Sequence, residues 1–257
     1  MSEHVLITGA ASGIGLQTAL SYAGHSAIIT LVDLDEAKVT LAAAQVAAAG
    51  AASVNTITAD LSSPTAPAEV VLQAWNSQPI DILVNCAGIY PSAPFLELTA
   101  ESWDSVQNIN VRAPLLATVE LGKLARDSGR TASIVNVSST AALRTRPGAA
   151  PYSTSKAAVD MMTRASALEL GKWGVRVNAV APGFIPVDSS ANPVSKEYAD
   201  AVSKNPLGVS GTVRDIAQAI LWIAGPEASW VTGTVLKVDG GSSTGSHSLP
   251  LSWESTE

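Results

Sequence analysis

Seven short apolar runs recur along the chain, and stretches with helical patterning separate most of them. His4 to Thr8, Ala27 to Val32, Val54 to Thr58, Ile80 to Asn85, Ala132 to Ser138, Val175 to Val180 and Thr234 to Val238 read as buried strands. Gly13 to Ala23, Glu36 to Ala49, Thr65 to Ser77, Ala100 to Asp127, Tyr152 to Trp173 and Thr212 to Ala224 read as helices. Strands apolar on both faces and joined through helices form a parallel sheet that is covered on both sides. The expected fold class is therefore α/β, a doubly wound, seven-stranded parallel sheet in one domain spanning residues 1–241. Ligands of such a sheet sit beyond the carboxyl ends of its strands. Gly50 and Gly129 are natural helix stops, and Pro64 and Pro67 mark the entry to the third helix. Phe184 to Pro206, rich in Pro, Ser and Asn, reads as an inserted flap, and residues 242–257 as a tail.

The turn Thr8-Gly9-Ala10-Ala11-Ser12-Gly13-Ile14-Gly15 follows the first strand directly and opens the first helix. Gly9 suits the tight turn, Gly13 lets a pyrophosphate approach the backbone, and Gly15 lets helix pack closely on sheet. The amides of Ser12, Gly13, Ile14 and Gly15, at the positive end of the helix dipole, then face the phosphates. This placement makes the fold a Rossmann fold by expectation. Asp33 ends the second strand, where a carboxylate accepts hydrogen bonds from ribose hydroxyls and repels a 2′-phosphate. Leu34 follows it and the turn contains no Lys or Arg, so NAD is favoured over NADP. Asp35 reads as a solvated cap of the next helix.

Tyr152 and Lys156 stand four residues apart, so on a helix the phenol and the ammonium share one face. A cation beside the phenol stabilises the phenolate, and a tyrosine of ordinary pKa about 10 can then exchange protons nearer neutrality. Each unit of lowering takes roughly 1.4 kcal/mol of preferential phenolate stabilisation.

Composition narrows the remaining classes. With 257 residues, 47% hydrophobic and 14% charged, the chain can bury one sizeable core. A formal charge of -7 argues against nucleic acid and anionic membranes as partners. Cys86 is the only cysteine and the three histidines are scattered, which points to a reducing compartment and a metal-free site. No apolar run approaches the ~18 residues of a membrane span, and the first strand begins too early to leave room for a signal peptide; a cytoplasmic location is the expectation.

The ordered set formed by the glycine turn, Asp60-Leu61, Asn85-Cys86-Ala87-Gly88, Asn110, Ser139, Tyr152 with Lys156, Pro182-Gly183 and Val238-Asp239-Gly240-Gly241 resembles the short-chain dehydrogenase/reductase family, in its short single-domain branch. The resemblance runs from Val5 to about Gly241. It implies that Tyr152 exchanges the proton with the substrate oxygen, that Lys156 lowers the phenol pKa and hydrogen-bonds the nicotinamide ribose, and that Ser139 holds the reacting oxygen. Ser138 is the poorer choice, because alternate strand residues face opposite ways. Asn110, inside an expected helix, resembles the asparagine that anchors a water in a proton relay to Lys156. Asp60 is expected near the adenine with Leu61 lining its pocket, and Asn85, Ala87 and Gly88 form a shelf beside the cofactor. Pro182, Gly183 and Ile185 are expected to contact it from the far side.

Two departures accompany the resemblance. Cys86 occupies a position where the family often has a second asparagine, and reads as a buried small hydrophobe. Val187 occupies a position where the family often has a threonine that helps hold the cofactor; Asp188, Ser189 and Ser190 could compensate. The implied reaction is reversible hydride transfer between NAD and a secondary alcohol/ketone pair. Tyr90, Ala141, Leu143 and Phe184 form a mainly apolar candidate pocket for a small or medium ketone or alcohol. A sugar or polyol stays open, as does a carboxylate bound by Arg144 or Arg146. The family implies a homotetramer, or a homodimer, and Leu249, Leu251 and Trp253 give the tail apolar residues for docking. The alternative function is a noncatalytic NAD-sensing protein, which would have no need of Ser139, Tyr152 and Lys156. A sugar-nucleotide epimerase would share the Tyr and Lys but usually carries a larger C-terminal domain.

Overall fold

The apolar runs form β1 (His4–Thr8), β2 (Ile28–Asp33), β3 (Ser53–Thr58), β4 (Ile82–Asn85), β5 (Ala132–Val137), β6 (Val175–Pro182) and β7 (Val235–Val238) in the computed structural model, which describes residues 2–186 and 196–245. All seven pair in parallel in the order β3-β2-β1-β4-β5-β6-β7. The order reverses between β1 and β4, which opens a crevice at the carboxyl edge there. The helices are α1 (Gly13–Ala23), α2 (Glu36–Ala48), α3 (Ala66–Ser77), α4 (Ala100–Gln107), α5 (Ala113–Ser128), α6 (Ala150–Leu170), α7 (Lys196–Val202) and α8 (Val213–Ala224). Two apolar layers flank the sheet. Val5 and Ile7 pack with α1, α2 and α8, while Leu6 between them packs with α3, α5 and α6. The alternation of a pleated strand divides β1 between the two layers.

Two expectations need correction. Strand β3 is not apolar on both faces: Ile57 is its only buried residue, because β3 lies at the sheet edge. The helix expected from Ala100 to Asp127 is not continuous. A π-helical turn, Asn108–Arg112, separates α4 from α5. Pro114 accounts for it, since proline has no amide to give to the carbonyl four residues earlier, that of Asn110, and its ring crowds that carbonyl. The segment read as a flap carries helix α7 at Lys196–Val202, while Val187, Asp188, Ser189 and Ser190 lie outside the described residues, as do Leu249, Leu251 and Trp253.

Buried amides tie together the strands and helices that carry the site. Asn85 Nδ2 donates to Asn136 Oδ1 at 2.9 Å, and Asn136 Nδ2 donates to Thr163 Oγ1 at 3.0 Å, joining β4, β5 and α6. Both asparagines are buried. Burying a polar group is costly unless its partners are supplied, so removing the middle member leaves Asn85 with only a 3.5 Å contact to Thr118 and Thr163 with only its bond to the Val159 carbonyl. Among the described residues, no helix is long and apolar enough to cross a membrane. Asn136→Ala should lower the unfolding free energy by about 2–3 kcal/mol in urea denaturation.

Candidate active site

The turn after β1 is compressed to the limit of its backbone. Gly9 has φ +65°, and a Cβ on Gly15 would stand 2.1 Å from the Gly9 carbonyl oxygen, so α1 begins hard against the strand it leaves. Ser12 precedes α1 without capping it through its side chain, and the first turn of α1 holds no acidic residue. The opening amides of α1 therefore face outward as donors for an anion. Asp33 closes this corner. Its Oδ2 accepts from the Ala11 amide at 3.0 Å and its Oδ1 from the Leu34 amide at 2.8 Å, which fixes the carboxylate and leaves lone pairs for further donors. Asp35 caps α2 by accepting from the Lys38 amide, as its sequence position indicated.

Thr8 links this turn to the next loop. Its hydroxyl oxygen accepts from the amides of Cys86 and Ala87 at 3.1 and 3.2 Å. Asn85 lines the same edge of the sheet as Thr8 and Ala87, and its amide nitrogen donates to Asn136. Leu61 packs on the α3 layer and lines a small cavity of about 10 Å³ with Thr8, Pro67, Ala87 and Ile109. Asp60 is exposed and accepts from the Ser62 amide at 2.9 Å; the side-chain and backbone hydrogen bonds of Ser62 hold its carboxyl below the usual range. On the far side, a Cβ on Gly183 would meet Asp239 at 2.9 Å, so only glycine permits β6 and the turn after β7 to run this close. Pro182 ends β6, and Ile185 packs against the core beyond it.

Tyr152 and Lys156 lie on α6, which starts with Pro151 in its first turn. The Lys156 Nζ stands 5.7 Å from the centre of the Tyr152 ring and donates to the Val137 carbonyl at 2.8 Å. Lys156 is 5% exposed, and burial pulls its ammonium down from 10.5 to about 8. Gly88 is close to both Lys156 and Asn110: a Cβ there would lie 3.6 Å from Lys156 Nζ and 3.3 Å from Asn110 Oδ1. Asn110 is buried in the π turn and spends its side chain on the Ile89 amide, the Ile89 carbonyl and the Ser155 hydroxyl. Ser139 leaves β5 and accepts from the Ala141 amide at 3.1 Å, whereas Ser138 points inward to Asp160.

The comparisons with known proteins agree with this architecture. A family model described as enoyl-(acyl carrier protein) reductase matches residues 9–243. The chain is 38% identical over 241 residues to the (2S)-[(R)-hydroxy(phenyl)methyl]succinyl-CoA dehydrogenase subunit BbsD of Thauera aromatica, covering 93% of this chain and 95% of that protein. It is 39% identical to the 3-oxoacyl-[acyl-carrier-protein] reductase FabG of Thermotoga maritima, over 92% of this chain and 96% of the relative. The crystal structure of levodione reductase superimposes with a TM-score of 0.87 at 31% identity, covering 94% of this chain and 98% of the other.

The chain belongs to the short-chain dehydrogenase/reductase family. Members of this family are oxidoreductases that use nicotinamide cofactors, and the glycine turn, the uncapped start of α1 and the fixed Asp33 carboxylate fit such a dinucleotide. At the mouth of the short-chain dehydrogenase/reductase crevice, the Tyr90 ring packs against that of Tyr152 with centroids 5.8 Å apart. Leu143 is exposed, Phe184 is half-buried and Ala141 sits in the 3₁₀ turn (Thr140–Ala142) after Ser139. Cys86 packs against the apolar core, where burial pushes its thiol up to about 12.

Several residues that organise the site carry no motif of their own. Pro114, Ser155 and Asp160 are of this kind; only Pro114, standing four residues after Asn110, left a signal in the sequence. The depressed Lys156 pKa has a stability consequence. Between about pH 8 and 10.5 the unfolded chain binds more protons at this lysine than the folded one, so its cost is greatest at neutral pH and fades as pH rises through that window. Lys156→Met should therefore raise the melting temperature at pH 7, by up to about 3 kcal/mol of stability, and the gain should shrink toward pH 10.5 in parallel thermal melts.

Proposed function

We propose that the protein is an NAD-dependent alcohol dehydrogenase/carbonyl reductase acting on a secondary alcohol/ketone pair. The observation that carries this reading is the buried Lys156 ammonium 5.7 Å from the Tyr152 ring centre, at the same sheet edge as the glycine turn. NAD is preferred because the Asp33 carboxylate stands where a 2′-phosphate would lie, and neighbouring Leu34 offers no positive charge. The bound nicotinamide supplies the hydride or accepts it. Tyr152 gives its phenolic proton to the substrate oxygen in reduction and takes it back in oxidation. Lys156 stabilises the phenolate electrostatically, an effect strengthened because the ammonium is withdrawn from water. Ser139 holds the reacting oxygen.

Asn110 anchors a water that passes protons to Lys156. Pro114 supports this role, since it deprives the Asn110 carbonyl of its α-helical donor and leaves it available to water. The substrate pocket of Tyr90, Ala141, Leu143 and Phe184 favours a small or medium apolar ketone or alcohol. Residues 184–206 act as its flap. Relatives named for a succinyl-CoA derivative, for galactitol and for L-xylulose share the fold, so the pocket walls select the substrate.

The same reading places the enzyme in the cytoplasm as a homotetramer or homodimer. Leu115, Val119, Met161 and Leu168 expose apolar side chains on α5 and α6, and a cleft of about 320 Å³ lies between these helices. Such a face favours pairing with a second copy.

The cofactor and substrate reading is tested by nicotinamide absorbance with NADH or NADPH against a panel of ketones, and with the oxidised forms against the matching alcohols. Turnover with the NAD pair that disappears in Tyr152→Phe is expected; turnover confined to the phosphorylated pair would overturn the role given to Asp33. Asp33→Ser should lower kcat/KM for NAD by about tenfold, the loss of one charge-assisted hydrogen bond of ~1.5 kcal/mol. Val119→Glu should shift sedimentation to a smaller species, and an unchanged mass would place the interface elsewhere.

A further inference from the structure

The carboxyl end of β5 is tied to α6 at two successive residues. The Val137 carbonyl accepts from Lys156 Nζ at 2.8 Å. Ser138 turns the opposite way, donating its hydroxyl to Asp160 Oδ1 with the Lys156 carbonyl oxygen 3.4 Å away. Ser139 follows immediately and bends out of the strand into the 3₁₀ turn, its hydroxyl oxygen accepting from the Ala141 amide. Tyr152, Lys156 and Asp160 recur every fourth residue along one face of α6. Strand and helix are thus locked together directly beneath Ser139, Tyr152 and Lys156, which come from those two different elements.

Asp160 is an unusual residue for a purely mechanical link. It is 7% exposed, and none of the ion pairs among the described residues involves it. Burying a carboxylate without a contacting cation is costly, and an asparagine could accept from Ser138 at lower cost. The charge has a recipient, however. Lys156 lies one helical turn away with its ammonium buried and hydrogen-bonded to a neutral carbonyl.

We infer that Asp160 is a positioning residue for this site: through Ser138 it sets the end of β5 against α6, and its negative charge supports the Lys156 ammonium. The inference rests on the oxidoreductase reading above. Burial pulls Lys156 toward neutrality, with Cys86 and Asp160 opposing; burial likewise raises the Asp160 carboxyl, opposed by the Ser138 hydrogen bond, Arg164 and Lys156. The titratable and charged groups around the pair are therefore Cys86 from the end of β4 and Tyr152 and Arg164 from α6. A displacement of Ser139 by about 1 Å is enough to cost on the order of a hundredfold in rate, so the Ser138 link has a kinetic readout.

Asp160→Asn keeps an oxygen for Ser138 and removes the charge, whereas Asp160→Ala and Ser138→Ala each remove the link. The Lys156 titration is followed by NMR of the full chain labelled with isotopic lysine, with Lys156→Arg for assignment, and needs no substrate. Asp160→Asn should move that titration to lower pH and shift the kcat pH profile with it. Asp160→Ala and Ser138→Ala should each lower kcat by tenfold to about a hundredfold with little change in cofactor KM, and the double variant should be no slower than the worse single one. Asp160→Asn should recover most of the kcat lost in Asp160→Ala. An unmoved Lys156 titration, or losses that multiply in the double variant, would overturn the inference. Turnover that survives Tyr152→Phe would overturn the oxidoreductase reading instead, with the Lys156 titration still judging Asp160.

Discussion

A sheet whose strands all run parallel delivers every carboxyl end to one edge, and the site of this protein is built on that constraint. The glycine turn continues β1, Asp33 ends β2, the Cys86–Gly88 loop continues β4, Ser139 follows β5 and Gly183 follows β6. None of these positions is near the others in the chain. Their convergence depends on register, which the two apolar layers enforce, because a slip of one residue would turn each buried side chain to the opposite face.

Register alone would leave the loops free to drift, and short polar links hold them. Thr8 binds the Cys86 and Ala87 amides, Asp33 binds the Ala11 amide, and Asn110 binds both backbone groups of Ile89. Each link satisfies buried or half-buried backbone groups that would otherwise lack a partner, so it is stabilising while it fixes geometry. Lys156 is the counterexample. Its ammonium is buried at a cost to folding, which fits the chemical role proposed for it.

Much of this was legible in the chain. The alternation of apolar runs and helices gave the seven strands and the fold class, and the long separation between strands forced helical crossovers. The expectation of a continuous helix from Ala100 to Asp127 failed because the apolar periodicity persists across Asn108–Arg112 while Pro114 breaks the hydrogen-bond ladder. β3 was read as doubly buried along with the other short apolar runs, but its exposure follows from its edge position. Asn85 illustrates the same limit at the site: its place in a motif was clear, while its commitment to Asn136 depends on a strand far away in sequence.

The sequence by itself determined the local chemistry: a turn only glycine can make, an acidic residue at a strand end, and a phenol and an ammonium one helical turn apart. These follow from backbone sterics and helix geometry, which act over a few residues. Tertiary structure decided which of those groups meet and in what state. The approach of Gly88 to Lys156 and Asn110, the Ser138 bond to Asp160 and the depressed pKa of Lys156 all arise from packing between distant elements. Desolvation and side-chain contact depend on what lies across the gap, and a chain states that only after it has folded.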